Sequence, residues 1–203
     1  MTAIITGDII NSEHYKGSKW IKDLKAHLSQ IGKHPTDWEI YRGDEFQLRL
    51  PPAQALQTAV HIKALIKSVK GLDVRMGIGI GTETFTGERV SESNGTAHQR
   101  SGRTFEALKK QKLNLAIATE NEVYDKTMNL LLKLALNFMD DWSQVSAEIV
   151  ALSLEMPEAS QQQVSKQLNI QQSAVSQRQK RARLDLVLEL LDYYTQTLKQ
   201  QHT

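Results

Sequence analysis

The stretch Trp38-Glu-Ile-Tyr-Arg-Gly-Asp-Glu-Phe-Gln-Leu-Arg-Leu50 has the pattern of two short strands joined by a tight turn. Residues 38–41 and 46–50 are rich in strand-forming side chains, and residues 42–45 supply a polar turn that contains glycine. The elements on either side of this hairpin decide which fold it belongs to.

The flanking elements predict an alternation of strands and helices. Residues 2–6 are a short apolar run that a glycine and an aspartate stop, which is typical of a buried strand. Apolar residues recur at helical spacing between positions 20 and 31, and again after the two prolines at 51 and 52. With a strand at 74–80, the order is β-α-β-β-α-β. This order predicts an α+β protein with a ferredoxin-like domain, which a helix at 94–110 and a strand at 113–118 complete.

The distribution of glycine divides the chain. All eleven glycines lie between Gly7 and Gly102, and glutamine is concentrated at 161–179. Because glycine serves strand ends and tight turns, the sheet domain is predicted at 1–120. A linker helix at 121–142 and an all-helical domain at 143–203 are expected to follow.

Composition excludes several classes of protein. The chain has 203 residues, 40% of them hydrophobic, which is enough for a substantial core. It contains no cysteine, so disulfides, thiolate zinc sites and cysteine nucleophiles are excluded. No apolar run is long enough to span a membrane, and the N-terminus lacks the pattern of a signal peptide. We therefore expect a cytoplasmic protein that makes no membrane contact. The net charge of +2 leaves room for a local basic patch.

Asp8 and Asp44 are predicted to lie together at one edge of the sheet. The crossover through the first helix makes the first two strands parallel, and the third strand returns between them. Two close carboxylates repel each other, and a divalent cation between them relieves the repulsion. Gly7 and Gly43 precede them and allow a phosphate to approach the backbone. The pattern predicts a Mg²⁺ or Mn²⁺ site for phosphoryl or nucleotidyl transfer. The alternative is that both Gly-Asp pairs are ordinary turns.

Four motifs in chain order resemble the palm-type nucleotide cyclases, which include the class III cyclases and the diguanylate cyclases. They are Gly7-Asp8-Ile9, Gly43-Asp44-Glu45-Phe46, Arg75-Met-Gly-Ile-Gly-Ile-Gly81 and Gly95-Thr-Ala-His-Gln-Arg-Ser-Gly-Arg103. The resemblance implies that Asp8 and Asp44 are metal ligands and that Ile9 lends its backbone carbonyl. It also implies that Arg103 is the transition-state cation. Gln99 is predicted to be catalytic together with Arg103. The residues predicted to bind the nucleotide are Gly7, Ile9, Gly43, Glu45, Asn94 and Gly95.

The sequence departs from the cyclase pattern at two of these positions. Gln99 stands where the cyclases have an asparagine that contacts the nucleotide, and Ile40 stands where they have a lysine that selects adenine. These departures favour a palm domain that binds a nucleotide without reacting. The paired aspartates and Arg103 favour retained chemistry, so both possibilities stay open.

A further resemblance covers most of the chain. Thr6-Gly-Asp-Ile-Ile-Asn-Ser12, Arg42-Gly-Asp-Glu-Phe-Gln47, Ser93-Asn-Gly-Thr-Ala97 and Ser101-Gly-Arg103 are similar to motifs of the SatD family of bacterial proteins. Members of this family are usually described as regulators. The resemblance therefore implies a regulatory role and specifies little of a mechanism.

The C-terminal part has the spacing of a helix-turn-helix. Ser160 caps a predicted helix at Gln161–Leu168, Asn169 and Ile170 make a tight turn, and a third helix opens at Gln171. The segment resembles region four of sigma factors. Its predicted DNA-binding residues are Gln171, Gln172, Ser173, Ser176, Gln177, Arg178, Lys180 and Arg181, which suit base edges and phosphates. The alternative is a helical hairpin that packs on the palm or mediates dimers.

Two hypotheses follow. The first is a DNA-binding transcriptional regulator whose palm domain binds a nucleotide with Mg²⁺ or Mn²⁺. The second is an active metal-dependent nucleotide cyclase or nucleotidyltransferase with a helical dimerisation tail. A homodimer is expected, because Leu184, Leu188, Leu191 and Tyr194 make the last helix amphipathic and typical of a dimerisation element.

Overall fold

The computed structural model describes residues 1–15 and 19–200. Its five strands are β1 (Thr2–Ile10), β2 (Trp38–Tyr41), β3 (Glu45–Leu50), β4 (Asp73–Gly81) and β5 (Leu115–Ala118). Its eight α-helices are α1 (Lys19–Ile31), α2 (Ala55–Lys67), α3 (Thr96–Gln111), α4 (Glu122–Met139), α5 (Gln144–Glu155), α6 (Gln161–Leu168), α7 (Gln172–Ala182) and α8 (Leu184–Gln200). None of these helices, over the residues described, has the length and apolar character needed to cross a membrane.

The strands form one sheet in the order β2-β3-β1-β4-β5. The pairs β2-β3, β3-β1 and β1-β4 are antiparallel, and β5 pairs with β4 in parallel. β3 lies between β1 and β2, so β1 and β2 run in the same direction, as the crossover rule predicts. This order confirms the ferredoxin-like arrangement and adds a fifth strand at its edge.

One face of the sheet is apolar and the other is largely polar. Ile5 of β1 pairs with Leu48 and Ile78, and these three side chains lie with α1 and α2 in the main core. Because side chains alternate along a strand, Thr6 and Asp8 lie on the opposite face, which α3 partly covers.

Helix α3 lies unusually close to the polar face. A Cβ atom at Gly79 would lie 2.2 Å from the Ala97 carbonyl oxygen and 2.3 Å from the Ser101 amide nitrogen. A Cβ at Gly77 would lie 2.6 Å from the backbone nitrogen of Phe105. Only glycine on β4 permits this backbone-to-backbone approach. The Ser101 hydroxyl then lies 2.8 Å from the Thr6 hydroxyl oxygen and 2.8 Å from the Gly77 carbonyl oxygen, and its single proton can be donated to either of them.

The helical part, which comprises α4 to α8, packs against the sheet domain through a continuous core. The sheet domain comprises β1 to β5 with α1 to α3 and is called the palm below. Ala147 and Val150 of α5 are fully buried and belong to the same cluster as the apolar face of the sheet. Leu184, Leu191 and Tyr194 of α8 are also buried, and the Tyr194 hydroxyl donates to the Pro52 carbonyl at 2.6 Å. These three residues of the expected dimerisation stripe therefore pack inside the chain, and only Leu188 of that set is exposed.

A buried ionic network joins the palm to the turn between α4 and α5. The Lys63 ammonium has no exposed side-chain surface and lies 2.7 Å from Asp73 Oδ1 and 2.6 Å from Asp140 Oδ1. Lys67 lies 3.2 Å from the other oxygen of Asp73 and donates to the Asp140 backbone carbonyl at 2.6 Å. Two cations and two carboxylates balance each other, which is the condition under which charges tolerate burial.

Candidate functional site

The structure brings Asp8 and Asp44 together at one end of the polar face. Asp8 is paired across the sheet with Glu45 on one side and Arg75 on the other. Asp44 lies in the turn before β3, and its carbonyl accepts a hydrogen bond of 3.2 Å from the Ile9 amide. Three carboxylates and a guanidinium thus share a small region where the β2-β3 turn meets the end of β1.

The Asp8 carboxylate has one oxygen engaged and one without a partner. Its Oδ2 lies 3.4 Å from the Arg75 guanidinium, which is a long contact, and its Oδ1 is buried without any hydrogen bond. Burial raises the pKa of the Asp8 carboxyl, and the charges of Arg75 and Lys109 act in the opposite direction. A buried carboxylate oxygen without a donor favours a ligand that can supply positive charge.

The neighbouring acids are partly satisfied by other side chains. Asp44 Oδ2 accepts a hydrogen bond of 2.7 Å from the Ser12 hydroxyl. Glu45 lies 3.9 Å from the Lys109 ammonium, which reaches it from the end of α3. Lys109 is also stacked 4.3 Å from the centre of the Phe105 ring, which helps to fix its position.

These residues fit a weakly held, hard divalent cation. No group of three or more metal-ligating side chains was found in residues 1–15 and 19–200. Mg²⁺, however, is commonly bound by one or two carboxylates together with waters and substrate phosphates. Asp8 and Asp44 supply that donor set, with the unpartnered Asp8 oxygen as the strongest indication.

Gly7 does not have the role expected from the sequence, whereas Gly43 has the open surroundings that this role needs. Gly7 lies on the apolar face, where a Cβ would come within 2.7 Å of the Phe46 ring, so it serves packing within the sheet. The alternation of a strand places it on the face opposite Asp8. Gly43 has φ +92° and no atom within 4 Å of an added Cβ, so it serves the turn and leaves open space beside Asp44.

Helix α3 does not bring Gln99 and Arg103 to this site within one chain. The buried residues of α3, among them Ala97, Ser101 and Phe105, face the sheet. Gln99 and Arg103 are exposed and, at 100° per residue, lie on the opposite side of the helix. The cation that α3 contributes to the site is Lys109.

Asn94 and Gly95 lie at the other end of the sheet. They precede the start of α3, where a Cβ at Gly95 would meet the Thr82 carbonyl just beyond β4. β4 passes Asp8 at Arg75 and ends six residues later at Gly81, so the two ends are about 20 Å apart. Asn94 and Gly95 therefore form part of a separate loop, in which the Asn94 side chain accepts from the Gly95 amide at 2.7 Å.

Sequence reasoning did not assign Ser12, Arg75 or Lys109 to the site. Arg75 was identifiable in principle, because an antiparallel register that opposes Gly7 to Met76 places it beside Asp8. Ser12 and Lys109 carried no signal, since their approach depends on how a turn and a helix end are positioned in space.

The second candidate site is the pair of helices α6 and α7. Ser160 and Gln163 form a reciprocal capping box at the start of α6, which confirms the predicted cap. Asn169 adopts φ +51° at the end of α6 and allows the tight turn into α7. The Trp142 indole donates to the Ala182 carbonyl at 2.9 Å and anchors the far end of α7.

Helix α7 exposes most of the residues predicted to meet DNA. Val175 and Ala182 are buried against the rest of the helical part. The exposed members of the predicted set are Gln171, Gln172, Ser173, Ser176, Gln177, Lys180 and Arg181. Arg178 differs, because its guanidinium lies 3.2 Å from Glu148 of α5 and is 23% exposed. Arg178 therefore anchors α7 to α5, and Arg183, which is exposed, extends the basic surface in its place.

The fold and the two sites define an α+β protein that joins a ferredoxin-like sheet to a helix-turn-helix arrangement. The family model described as the SatD family matches residues 2–196, so the chain belongs to the SatD family. This confirms the resemblance noted in the sequence motifs. A search among curated proteins finds no match.

Proposed function

We propose that this protein is a DNA-binding transcriptional regulator that presents α7 to the major groove. The observation that carries the proposal is the exposed side of α7, where Lys180 and Arg181 lie beside the exposed Arg183 and no acidic residue occurs between Gln172 and Ala182. Lysine and arginine in such a position neutralise phosphates. An α-helix with its side chains is about 10–12 Å in diameter, so α7 can enter a major groove about 12 Å wide.

Polar side chains on the same side of α7 supply the means to read bases. Ser173, Ser176 and Gln177 are exposed and share the helix face of Lys180. Glutamine pairs with adenine edges, and serine accepts or donates at several bases. In this proposal Lys180 and Arg181 contact phosphates and so set the affinity and the position of α7 on the DNA. Ser173, Ser176 and Gln177 contact base edges and discriminate between DNA sequences.

The test is binding to DNA from the region upstream of the protein's own gene, measured by fluorescence anisotropy over a series of salt concentrations. Each lost phosphate contact reduces the slope of log K against log salt by about 0.9. We expect Lys180→Ala and Arg181→Ala to lower both affinity and slope. Arg178→Ala should leave the slope unchanged, and Lys110→Ala on the exposed side of α3 serves as the matched control. Unaltered binding by the Lys180→Ala, Arg181→Ala double variant would refute the assignment.

We propose in addition that the palm binds a nucleotide together with Mg²⁺ or Mn²⁺. The buried, unpartnered Asp8 Oδ1 beside Asp44 supports this second function. Asp8 and Asp44 would hold the cation, which would neutralise phosphate charge, and Arg75 and Lys109 would add positive charge to the same region. A regulator built in this way responds to a phosphorylated effector.

Calorimetric titration with Mn²⁺ and each nucleoside triphosphate tests the palm separately from DNA. Asp8→Asn preserves the shape of the side chain but removes its charge, and we expect it to weaken binding at least about tenfold. Asp141→Asn, at an exposed acid outside the site, should have no effect. Equal binding by the Asp8→Asn variant and the unaltered protein would exclude this site.

The alternative is an active nucleotide cyclase or nucleotidyltransferase. The paired carboxylates favour it, whereas the exposed positions of Gln99 and Arg103 favour binding without turnover. Incubation with each nucleoside triphosphate and Mn²⁺ or Mg²⁺, followed by mass spectrometry, separates the two. A cyclic or pyrophosphate-releasing product that disappears in Asp44→Ala would establish the enzyme.

A further inference from the structure

A cavity of about 520 Å³ lies where the palm meets the helical part. Its walls come from α1 and α2 of the palm and from α5 and α6 of the helical part. Five of its lining residues are apolar, and the most buried of these, Ala151 and Leu152 of α5, are 6% and 7% exposed. A concave surface of this size with apolar walls suits a small organic ligand.

The charged residues that line this cavity are all acids. They are Asp23 of α1 and Glu148 and Glu155 of α5. Within residues 1–15 and 19–200, Asp23 forms no ion pair, and Arg178 of α7 is the only lysine or arginine paired with either glutamate, at 3.2 Å from Glu148. The cavity therefore has more negative charge than the neighbouring cations balance, which favours a cationic ligand.

A buried histidine without a hydrogen-bond partner lies behind Glu155. His61 of α2 is 6% exposed, and its Nε2 atom lies 3.4 Å from Glu155 Oε1 without a hydrogen bond. Burial lowers the pKa of His61 to about 3, so its ring is neutral near pH 7 and adds no positive charge beside Glu155. An ammonium group carries three N–H donors, so one at this position can donate to both the carboxylate and the imidazole.

The two glutamates of α5 set the distance between two such ammonium groups. Glu148 and Glu155 are seven residues apart, so they lie on the same side of the helix and about 10 Å apart along its axis. Ala151 and Leu152 occupy the same side of α5 between them. A ligand that matches this wall has a cation at each end and an apolar chain in the middle.

From this arrangement we infer that the cavity binds a linear aliphatic diamine, with one ammonium at Glu155 and the other at Glu148. The methylene chain of the ligand lies against Ala151 and Leu152, and Asp23 adds electrostatic attraction from α1. An amine with a single ammonium leaves one glutamate without a ligand cation. An amino acid is disfavoured as well, because its carboxylate meets three acids of the same charge.

Occupation of the cavity changes how α7 is held, which goes beyond the proposed function. The Arg178 guanidinium of α7 pairs with Glu148 at 3.2 Å. A ligand ammonium at Glu148 competes with this contact, so binding of the diamine and anchoring of α7 to α5 oppose each other. The site thereby couples a diamine to the position of the proposed recognition helix.

Calorimetric titration of the full chain with hexamethylenediamine, without DNA, nucleotide or divalent metal, tests the inference independently of both proposed functions. Hexylamine has the same chain with one ammonium. Trimethylenediamine has two ammonium groups on a chain too short to bridge the glutamates. We expect hexamethylenediamine to bind at least about tenfold more tightly than either, because only it makes both charged hydrogen bonds. Equal affinities for the three amines overturn the inference.

Single substitutions locate the binding in the cavity. Glu155→Gln keeps the size of the side chain and removes its charge, and should weaken binding of hexamethylenediamine at least about fivefold. Glu158→Gln is the matched control, because Glu158 is an exposed acid just beyond α5 and does not line the cavity. An unchanged affinity in Glu155→Gln, or an equal loss in Glu158→Gln, overturns the inference.

Removal of Arg178 tests the competition at Glu148. Arg178→Ala leaves Glu148 without its cation and should tighten binding of hexamethylenediamine about two- to fivefold, which corresponds to the strength of a partly exposed ion pair. Weaker or unchanged binding by Arg178→Ala overturns the placement of an ammonium at Glu148.

Discussion

The buried ammonium of Lys63 offers a sharp test of how the palm and the helical part are joined. Its Nζ atom lies 2.7 Å from Asp73 Oδ1 in β4 and 2.6 Å from Asp140 Oδ1 after α4, and its side chain has no exposed surface. Lys63→Met has nearly the same length and removes the charge alone. The variant leaves two carboxylates facing the single remaining cation of Lys67.

The cost depends on how far each of the two acids is buried. Breaking a buried ion pair by removing one partner typically costs about 3–5 kcal/mol. The Asp73 side chain is 17% exposed and the Asp140 side chain is 37% exposed, so Asp140 can recover hydration while Asp73 largely cannot. Lys67 still pairs with Asp73 at 3.2 Å. We therefore expect Lys63→Met to lower the free energy of unfolding by about 3 kcal/mol, the low end of that range.

Urea unfolding followed by circular dichroism and by tryptophan fluorescence measures this loss. Trp20 and Trp38 report on the palm and Trp142 on the helical part, so coincident transitions show that both parts unfold together. Adding Asp140→Asn to Lys63→Met removes the surplus charge and should recover about 1 kcal/mol. A loss below about 1 kcal/mol for Lys63→Met alone, or no recovery in the double variant, would refute the reasoning.

Three further predictions concern pH, packing and capping. The rings of His27 and His61 lie 4.1 Å apart, and burial lowers their pKa values to about 4 and about 3. Between pH 6.5 and 4.5 these two histidines take up protons in the unfolded chain but not in the folded chain. The free energy of unfolding therefore falls as the pH falls, by up to about 1.4 kcal/mol per pH unit for each histidine. His61→Gln should roughly halve this slope in urea unfolding, and an unchanged slope would contradict the assignment. Gly79→Ala puts a Cβ 2.2 Å from a backbone carbonyl oxygen of α3 and should lower the free energy of unfolding by about 2–3 kcal/mol. At Gly102 an added Cβ has no atom within 4 Å, so Gly102→Ala in the same helix should raise the free energy of unfolding by about 0.5–1 kcal/mol. Thermal unfolding compares the two, and equal effects would disprove the close approach. Ser160→Ala removes the capping box of α6 and should cost about 1 kcal/mol, seen as faster amide exchange in that helix alone.

The candidate palm site was predictable only where it depends on strand order. The hairpin of β2 and β3 is a local feature, and topology rules bring Asp8 and Asp44 to one edge. The predicted end of the first strand at Gly7 and Asp8 was wrong, because β1 continues through both residues to Ile10. The position of Arg103 depends on which side of α3 meets the sheet. Ala97 and Ser101 face the sheet, and Arg103 does not. The close contacts of α3 with Gly77 and Gly79 determine this orientation, and the local sequence pattern of α3 does not indicate it.

The helical part shows the same division. The capping box at Ser160 and the turn at Asn169 are determined by neighbouring residues, so the bounds of α6 were predictable from the sequence. The stretch around Arg178 contains no acidic residue, which indicated a free basic cluster. Tertiary packing of α5 against α7 places Glu148 beside Arg178, and a contact between residues 30 positions apart has no local signature.

By itself, the sequence determined the order of elements, the ferredoxin-like topology and the helix-turn-helix, because hydrophobic periodicity, glycine and caps act over a few residues. Tertiary structure alone decided which charged and apolar side chains remain available. The stripe of α8 that contains Leu191 and Tyr194 lies in the core, while Leu134 and Leu186 border an open groove. Both stripes are apolar at helical spacing, and only the packing of whole helices determines which of them faces the core and which faces solvent.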